Sequence, residues 1–312
     1  MDDGRFDALS RALGAGATRR GALGVLAGLA GLGLAEAEGK RRNRRDRRGR
    51  RGGRGGSTGR VNAEVTDGVL DGNGHPYVGL MSAQTAKGQH LWRCSGTLLS
   101  PRIFLTAGHC TEAPAERVKI WFAADVDAGI ANGTIDYPAK GDAQGTPYTH
   151  PQYDPDAFFL YDLGVVVLDK PVKMKKYGAL PKLDALDRLV EQNTRKEITF
   201  TAVGYGLQQS FPDAASWKEQ ADKIRMVAHP HLIQINTGFT GDFSLLLSNN
   251  ANTGGTCFGD SGGPNFIGTS NVIGGVTSYG LNGTCAGTGG VYRVDRADDL
   301  DWLYSEFGDH LP

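Results

Sequence analysis

Long apolar runs are missing from this chain. The best candidate, the charge-free stretch from Gly21 to Ala35, has 15 residues, short of the roughly 20 that a membrane-spanning helix requires. Cysteine is scarce, with four residues and no Cys-x-x-Cys. That speaks against a zinc scaffold, and a core rather than bridges must carry most of the stability. Four cysteines allow three pairings. Helical periodicity is scarce as well: only Arg296 to Phe307 places Leu300, Leu303, Tyr304 and Phe307 on one side. No internal repeat is visible.

Net charge is also absent, with 34 Lys/Arg against 34 Asp/Glu, but the balance conceals a segregation. Residues 1–60 hold 15 basic and 6 acidic residues, which leaves 19 and 28 for the rest, a net of −9. Thr18-Arg19-Arg20, the apolar stretch and Ala35-Glu36-Ala37 read together as an export signal over residues 1–37 with an A-x-A cleavage site. The paired arginines suggest a bacterial twin-arginine route, although Ala22 stands where an aromatic residue is more usual. Export to a secreted or extracytoplasmic location agrees with disulfides.

Residues 38–60 form a basic Gly/Arg-rich tail, with eleven basic residues and one acid between Lys40 and Arg60. Such a segment buries too little apolar surface to fold. It is a spacer or propeptide, or a tether to an anionic cell surface. Without interleaved aromatics it gives no basis for specific nucleic-acid recognition.

What the sequence has in quantity is glycine, 46 residues, set among short β-branched runs that predict an all-β domain over residues 61–312. Strands are predicted at 77–81, 93–99, 103–106, 119–122 and 165–168, then at 198–203, 271–278 and 290–294. The charged stretch 170–196 divides the two groups.

Three short motifs carry the chemistry. Thr106-Ala107-Gly108-His109-Cys110 offers a histidine, and Tyr161-Asp162 offers an aspartate ahead of the apolar run Val165–Leu168. Cys257-Phe258-Gly259-Asp260-Ser261-Gly262-Gly263-Pro264 offers a serine in a glycine-rich loop. A serine hydroxyl needs a base within hydrogen-bond reach. The order His, Asp, Ser, with gaps of 53 and 99 residues, is one of three known orders for a single geometry and contradicts the Ser, Asp, His order of α/β-hydrolases.

From about Gly68 to Phe307 the chain resembles the chymotrypsin/trypsin family of serine proteases. The resemblance implies two six-stranded antiparallel barrels with the site in the cleft between them, and a C-terminal helix. It implies His109, Asp162 and Ser261 as the catalytic triad, with the amides of Gly259 and Ser261 as the oxyanion hole. Cys94 would pair with Cys110, and Cys257 with Cys285. Gly255, on the floor of the primary pocket, lacks the carboxylate that would hold Arg or Lys. Thr256, Gly280 and Gly290 would line that pocket, and Ser278-Tyr279-Gly280 would pair with substrate backbone. A neutral, open pocket favours cleavage after large apolar residues.

Asp260 would be the partner of a new N-terminus, exposed at Val65 or Val61, although Val65-Thr66-Asp67-Gly68 matches the family's Ile-Val-Gly-Gly start poorly. His150-Pro151-Gln152-Tyr153 resembles a structural turn. His75, His90, His229, His231 and His310 are expected in solvent, and Asp154 and Asp156 in a polar turn. The protein would be a monomeric, secreted serine endopeptidase acting on proteins or peptides without a cofactor or metal. The competing reading is a catalytically silent protease fold used as a surface-binding module.

Overall fold

The computed structural model describes residues 68–192, 197–208, 222–250, 252–281 and 285–312. The expected signal peptide, the basic tail, and both candidate N-termini Val61 and Val65 lie outside the described residues. No described helix is long and apolar enough to cross a membrane.

The first unit is a closed barrel. Its strands are β2 (Val78–Gln84), β3 (His90–Leu98), β4 (Ile103–Thr106), β5 (Arg117–Trp121), β6 (Ala143–Thr149) and β7 (Gly164–Leu168), joined in the ring order β2-β3-β4-β7-β6-β5. β7 pairs with β4 and with β6, and its residues are buried on both faces apart from the half-buried Val167, which is why Val165–Leu168 reads as a continuous apolar run instead of an alternating one. Gly96 lets β3 approach β4: a Cβ there would lie 2.3 Å from the Phe104 ring. Leu80, Leu98, Ile103, Phe104, Ile120 and Val165 fill the interior without solvent exposure, each contributing about 1.5–3 kcal/mol of burial.

The second unit contains β8 (Phe200–Gly204), β9 (Met226–Ala228), β10 (Leu232–Thr237), β11 (Gly241–Asn249), β12 (Pro264–Ile267), β13 (Ile273–Gly280) and β14 (Gly287–Arg293). With β1 (Val69–Leu70) they form an eight-stranded sheet in the order β1-β9-β8-β12-β13-β14-β11-β10. This sheet is a half-barrel and not a closed ring of six. β1 covers the outer edge of β9, with Val69 opposite Val227, so that edge is unavailable for closure.

Three α-helices accompany the strands among the described residues. α1 (Val126–Ala131) starts at Asp125, whose carboxylate accepts the Ala128 N–H at 2.7 Å. α2 (Ala185–Gln192) lies between the units, inside the stretch expected to divide them. α3 (Ala297–Phe307) is the expected C-terminal helix, with Asp298 and Asp299 at its positive end.

Arg225 ties the two units together. It is fully buried, and its guanidinium reaches Asp71 Oδ2 (2.9 Å), Gly72 O (2.8 Å), Val78 O (3.1 Å) and Phe122 O (2.9 Å). Burial works against the Asp71 charge, but hydrogen bonds from His75 and Arg225 outweigh it and hold that carboxyl below its usual range. His75 is therefore not the solvated histidine expected: it bonds Asp71 and stacks on Phe266 with centroids 5.5 Å apart.

Candidate active site

His109 sits in a single 3₁₀ turn, Gly108–Cys110, immediately after β4. The disulfide Cys94–Cys110 ties this turn to β3, and the Trp92 indole donates to Cys110 O at 3.1 Å. Asp162 occupies the centre of a tight turn in which Leu163 N donates to Tyr161 O at 2.7 Å. Tyr161 holds φ at 53°, a left-handed conformation that costs a non-glycine residue energy. His150, buried and stacked on the Tyr161 ring with centroids 5.0 Å apart, keeps it there.

The Asp162 carboxylate accepts three hydrogen bonds. Two come from His109, from its backbone N at 2.8 Å and its Nδ1 at 2.9 Å. The third comes from the Ser278 hydroxyl at 2.5 Å. His109 and Asp162 are both completely buried. An acceptor carboxylate on Nδ1 places the proton there and leaves Nε2 as the basic nitrogen. Nε2 is buried and has no hydrogen-bond partner among the described residues.

The geometry explains why Ser278 points at Asp162. In the β13–β14 ladder Thr277 faces Val291 and Tyr279 faces Gly290, so Ser278 is the extra residue of a bulge. Bulges re-aim side chains in this way.

The Ser261 loop packs directly against the His109 segment. Gly262 has φ of 76°, and a Cβ on it would lie 2.0 Å from Thr106 Oγ1 and 2.7 Å from Ala107 N, so glycine is obligatory. Ser95 on β3 clamps the loop from the other side. Its N–H donates to Ser261 O (2.8 Å), its hydroxyl donates to Gly259 O (2.9 Å), and that oxygen accepts the Tyr205 N–H (2.9 Å).

Within the loop the amides of Asp260, Gly262 and Gly263 donate to the carbonyls of Cys257, Thr277 and Asp260. Those of Gly259 and Ser261 have no partner among the described residues. Two open amides beside a serine hydroxyl make a site for a developing oxyanion. The Arg93 side chain lies nearby, with Nε 3.5 Å from where a Cβ on Gly259 would stand.

Asp260 is buried behind the loop. Its carboxylate accepts from Gly206 N (2.8 Å) and Cys257 N (3.0 Å). It is wedged against Gly204 and Gly206, where any Cβ would lie within 2.3 Å of its oxygens. Burial pushes its pKa up to about 6, opposed by those two amides and by the positive charge of Arg93.

Around the expected specificity pocket, the disulfide Cys257–Cys285 links the loop that carries Thr256 to the segment entering β14. A Cβ on Gly255 would lie 2.3 Å from Asn249 Cγ, so the Asn249 amide fills the space of a side chain at 255. Asn249 donates to Thr256 O at 2.8 Å, and its Oδ1 is buried without a partner. Gly280 pairs with Gly289, not Gly290. A Cβ on Gly289 would meet Thr256 Oγ1 at 2.8 Å, whereas one on Gly290 would strike the Tyr279 ring at 2.3 Å. Gly289 thus faces Thr256, and Gly290 lies under Tyr279. The Tyr279 hydroxyl bonds Ser244 Oγ at 3.0 Å.

Sequence patterns gave no sign of Ser95, Asn249, Gly289 or Arg93, which act through pairings remote in the chain. His150 forms the expected buried turn, and Asp154 caps its own turn by accepting the Asp156 N–H at 2.9 Å. Behind His150, Tyr292 donates to both oxygens of the buried Asp299 at 3.0 Å, and burial raises the Asp299 pKa to about 8. His150 Nε2 lies 4.0 Å from that carboxyl. Cys94, His109 and Cys110 cluster closely enough to suggest metal ligands, but the two sulfurs are bonded to each other and offer no thiolate.

Comparisons with known proteins place this geometry among relatives. A family profile described as Trypsin matches residues 70–302. Brachyurin of Leptuca pugilator is 30% identical over 227 residues, covering 70% of this chain and 89% of brachyurin. A trypsin of Saccharopolyspora erythraea is 28% identical, covering 72% of this chain and 91% of its own. Trypsin 5G1 of Aedes aegypti is 29% identical, covering 67% and 73%. The solved structure of HL collagenase superposes with a TM-score of 0.58 at 22% identity, over 78% of this chain and 98% of that one.

Proposed function

The chain belongs to the trypsin family, and from that premise we propose that it is a serine endopeptidase working through His109, Asp162 and Ser261. The observation that carries the reading is the buried His109–Asp162 pair with Nε2 left open beside the Ser261 loop.

In the first half-reaction Ser261 Oγ attacks the scissile carbonyl carbon while His109 Nε2 takes its proton. The carbonyl oxygen becomes an oxyanion held by the amides of Gly259 and Ser261, each such donor contributing about 2.7–4 kcal/mol to the transition state. Asp162 stabilises the imidazolium without taking its proton. Collapse of the tetrahedral species breaks the C–N bond, and His109 returns the proton to the leaving amine. Water, deprotonated by the same nitrogen, then releases the acyl group and restores the serine.

Substrate selection rests on a pocket whose described neighbours, Asn249, Thr256, Gly280 and Gly289, are neutral. That favours large uncharged side chains. The export signal expected over residues 1–37 and the two disulfides support an exported, extracytoplasmic protease. Asp260 already has two amide donors and the charge of Arg93, which makes an inserted N-terminus a refinement of the loop more than its only support.

The test is intact mass after treatment with a serine-directed phosphonate, with the N-terminus mapped. One adduct on Ser261, absent in His109→Ala, is expected. A processed chain that stays unlabelled refutes the protease reading and leaves the silent binding module.

A further inference from the structure

On the side of the Asp162 turn facing α3 lies a cavity of about 340 Å³, lined by Leu160, Tyr161, Asp242, Phe243, Tyr292, Arg296, Ala297 and Asp298. That is large enough for one long side chain and falls within the range of small-ligand sites. Tyr161, Phe243 and Tyr292 give it aromatic walls, and Asp242 and Asp298 give it carboxylates. Its one cation is already engaged: Arg296 reaches Asp184 (3.0 Å), Asp187 (3.4 Å) and Asp242 (3.1 Å). Asp298 faces the Tyr161 hydroxyl. Helix α3 adds Asp301 and Glu306 and carries no basic residue. Aromatic faces combined with two carboxylates against a single guanidinium, itself shared among three aspartates, suit a further guanidinium better than a neutral or anionic group.

The same chain holds a supply of guanidiniums. Lys40 to Arg60 has eleven basic residues against one acid, while the part beyond residue 60 carries a net −9. Reach is sufficient. β1 and β14 are five strand spacings apart in the sheet order, about 24 Å. The eight residues from Arg60 to Gly68 can span up to about 27 Å, and the fourteen from Arg54 up to about 48 Å.

We infer that the cavity between the Asp162 turn and α3 is an arginine-binding site, and that its occupant is an arginine of the chain's own basic segment 40–60. Docking there sets the segment against Tyr161, the residue immediately before Asp162. It gives the segregated charges of this protein a structural purpose apart from any contact with a cell surface.

The experiment uses the full-length chain carrying Ser261→Ala to prevent self-digestion. The rate at which an arginine-specific protease cleaves within residues 40–60 is measured at low and high salt, beside a free peptide of the same residues. Docking predicts cleavage at least about fivefold slower in the chain than in the peptide at low salt, with the difference gone near 0.5 M salt. The double change Asp242→Asn and Asp298→Asn, at two exposed positions, should release the protection at low salt, with an unchanged melting temperature confirming that the fold is intact. Equal rates in chain and peptide overturn the inference. So does protection that survives the double change, which would place the segment elsewhere. Protection that fades on dilution would assign the cavity to the basic segment of a second copy and overturn the intramolecular form.

Discussion

The Ser278 hydroxyl donates to Asp162 Oδ2 at 2.5 Å across the boundary between the two units, joining residues 116 positions apart. The contact exists because Ser278 is a bulge residue between the pairs Thr277–Val291 and Tyr279–Gly290. A hydrogen bond to a charged group contributes about 1.5–3 kcal/mol. Ser278→Ala should therefore lower kcat roughly ten- to hundredfold with little change in KM. Steady-state kinetics on a peptide anilide checks this, and a change confined to KM would show that Ser278 serves substrate binding instead.

Asp260 holds the Ser261 loop through two amides, so Asp260→Asn replaces an acceptor by an NH₂ that meets the same donors. Turnover and phosphonate labelling should fall about a hundredfold. Folding should not suffer in proportion, because a buried charge has been removed. The Asp260 carboxyl, raised to about 6 by burial, adds stability that is present below about pH 4 and lost as pH rises through 6, so the wild-type melting temperature should fall across that value and Asp260→Asn should show no such step. Labelling rates from pH 5 to 8, with thermal melting alongside, test both statements.

Asp299 gives a stability prediction with a definite sign. Its carboxyl, near 3.8 in the unfolded chain, is raised to about 8 in the fold, first by burial and then by the charge of Asp298. The stabilisation is fully present below about pH 4 and is lost as pH rises through 8, at up to about 1.4 kcal/mol per pH unit. Asp260, raised to about 6, is mostly ionised by pH 7, which leaves Asp299 as the larger contributor above it. Between pH 7 and 8 the melting temperature should fall by roughly 2–4 °C. Asp299→Asn should flatten that slope, and an unchanged slope would contradict the assignment.

Two neighbouring glycines should behave differently. Gly290→Ala drives a methyl into the Tyr279 ring, 2.3 Å away, and should cost about 1–3 kcal/mol of stability. Gly289→Ala meets only Thr256 Oγ1. It should leave the melting temperature nearly intact while raising KM for substrates with a large side chain before the cleaved bond. Melting curves and KM values on the two variants separate core from pocket.

That pair also shows where sequence reading stops. The resemblance pointed to Gly290 as a pocket wall because motifs count residues along the chain. The bulge at Ser278 shifts the ladder by one, and nothing in the residues around it announces the shift. The proximity of the His109 turn, Asp162 and the Ser261 loop was legible because each lies in a short stretch of unusual composition; their catalytic roles remain the proposal. β4 was legible over its full length, Ile103–Thr106, because all four residues are buried. β6 and β10 were not: their residues are largely half-buried or exposed, and β6 contains Pro147. α1, with six residues, is too short for periodicity to show. Ser95 and Arg225 hold the loop and the units together through partners more than 100 positions away.

The division of the site between two units has a consequence for the life of the molecule before it is finished. His109 and Asp162 lie on the barrel, and Ser261 and Ser278 on the half-barrel. On the proposed reading, a ribosome completing β7 has made the base and its carboxylate, but the hydroxyl they would act on is 93 residues from existing. Even a fully synthesised chain has nothing to cut with until the halves close and Ser278 reaches Asp162. If the chain is the protease proposed above, the cell that makes it is shielded by the order of assembly itself, ahead of any propeptide or inhibitor.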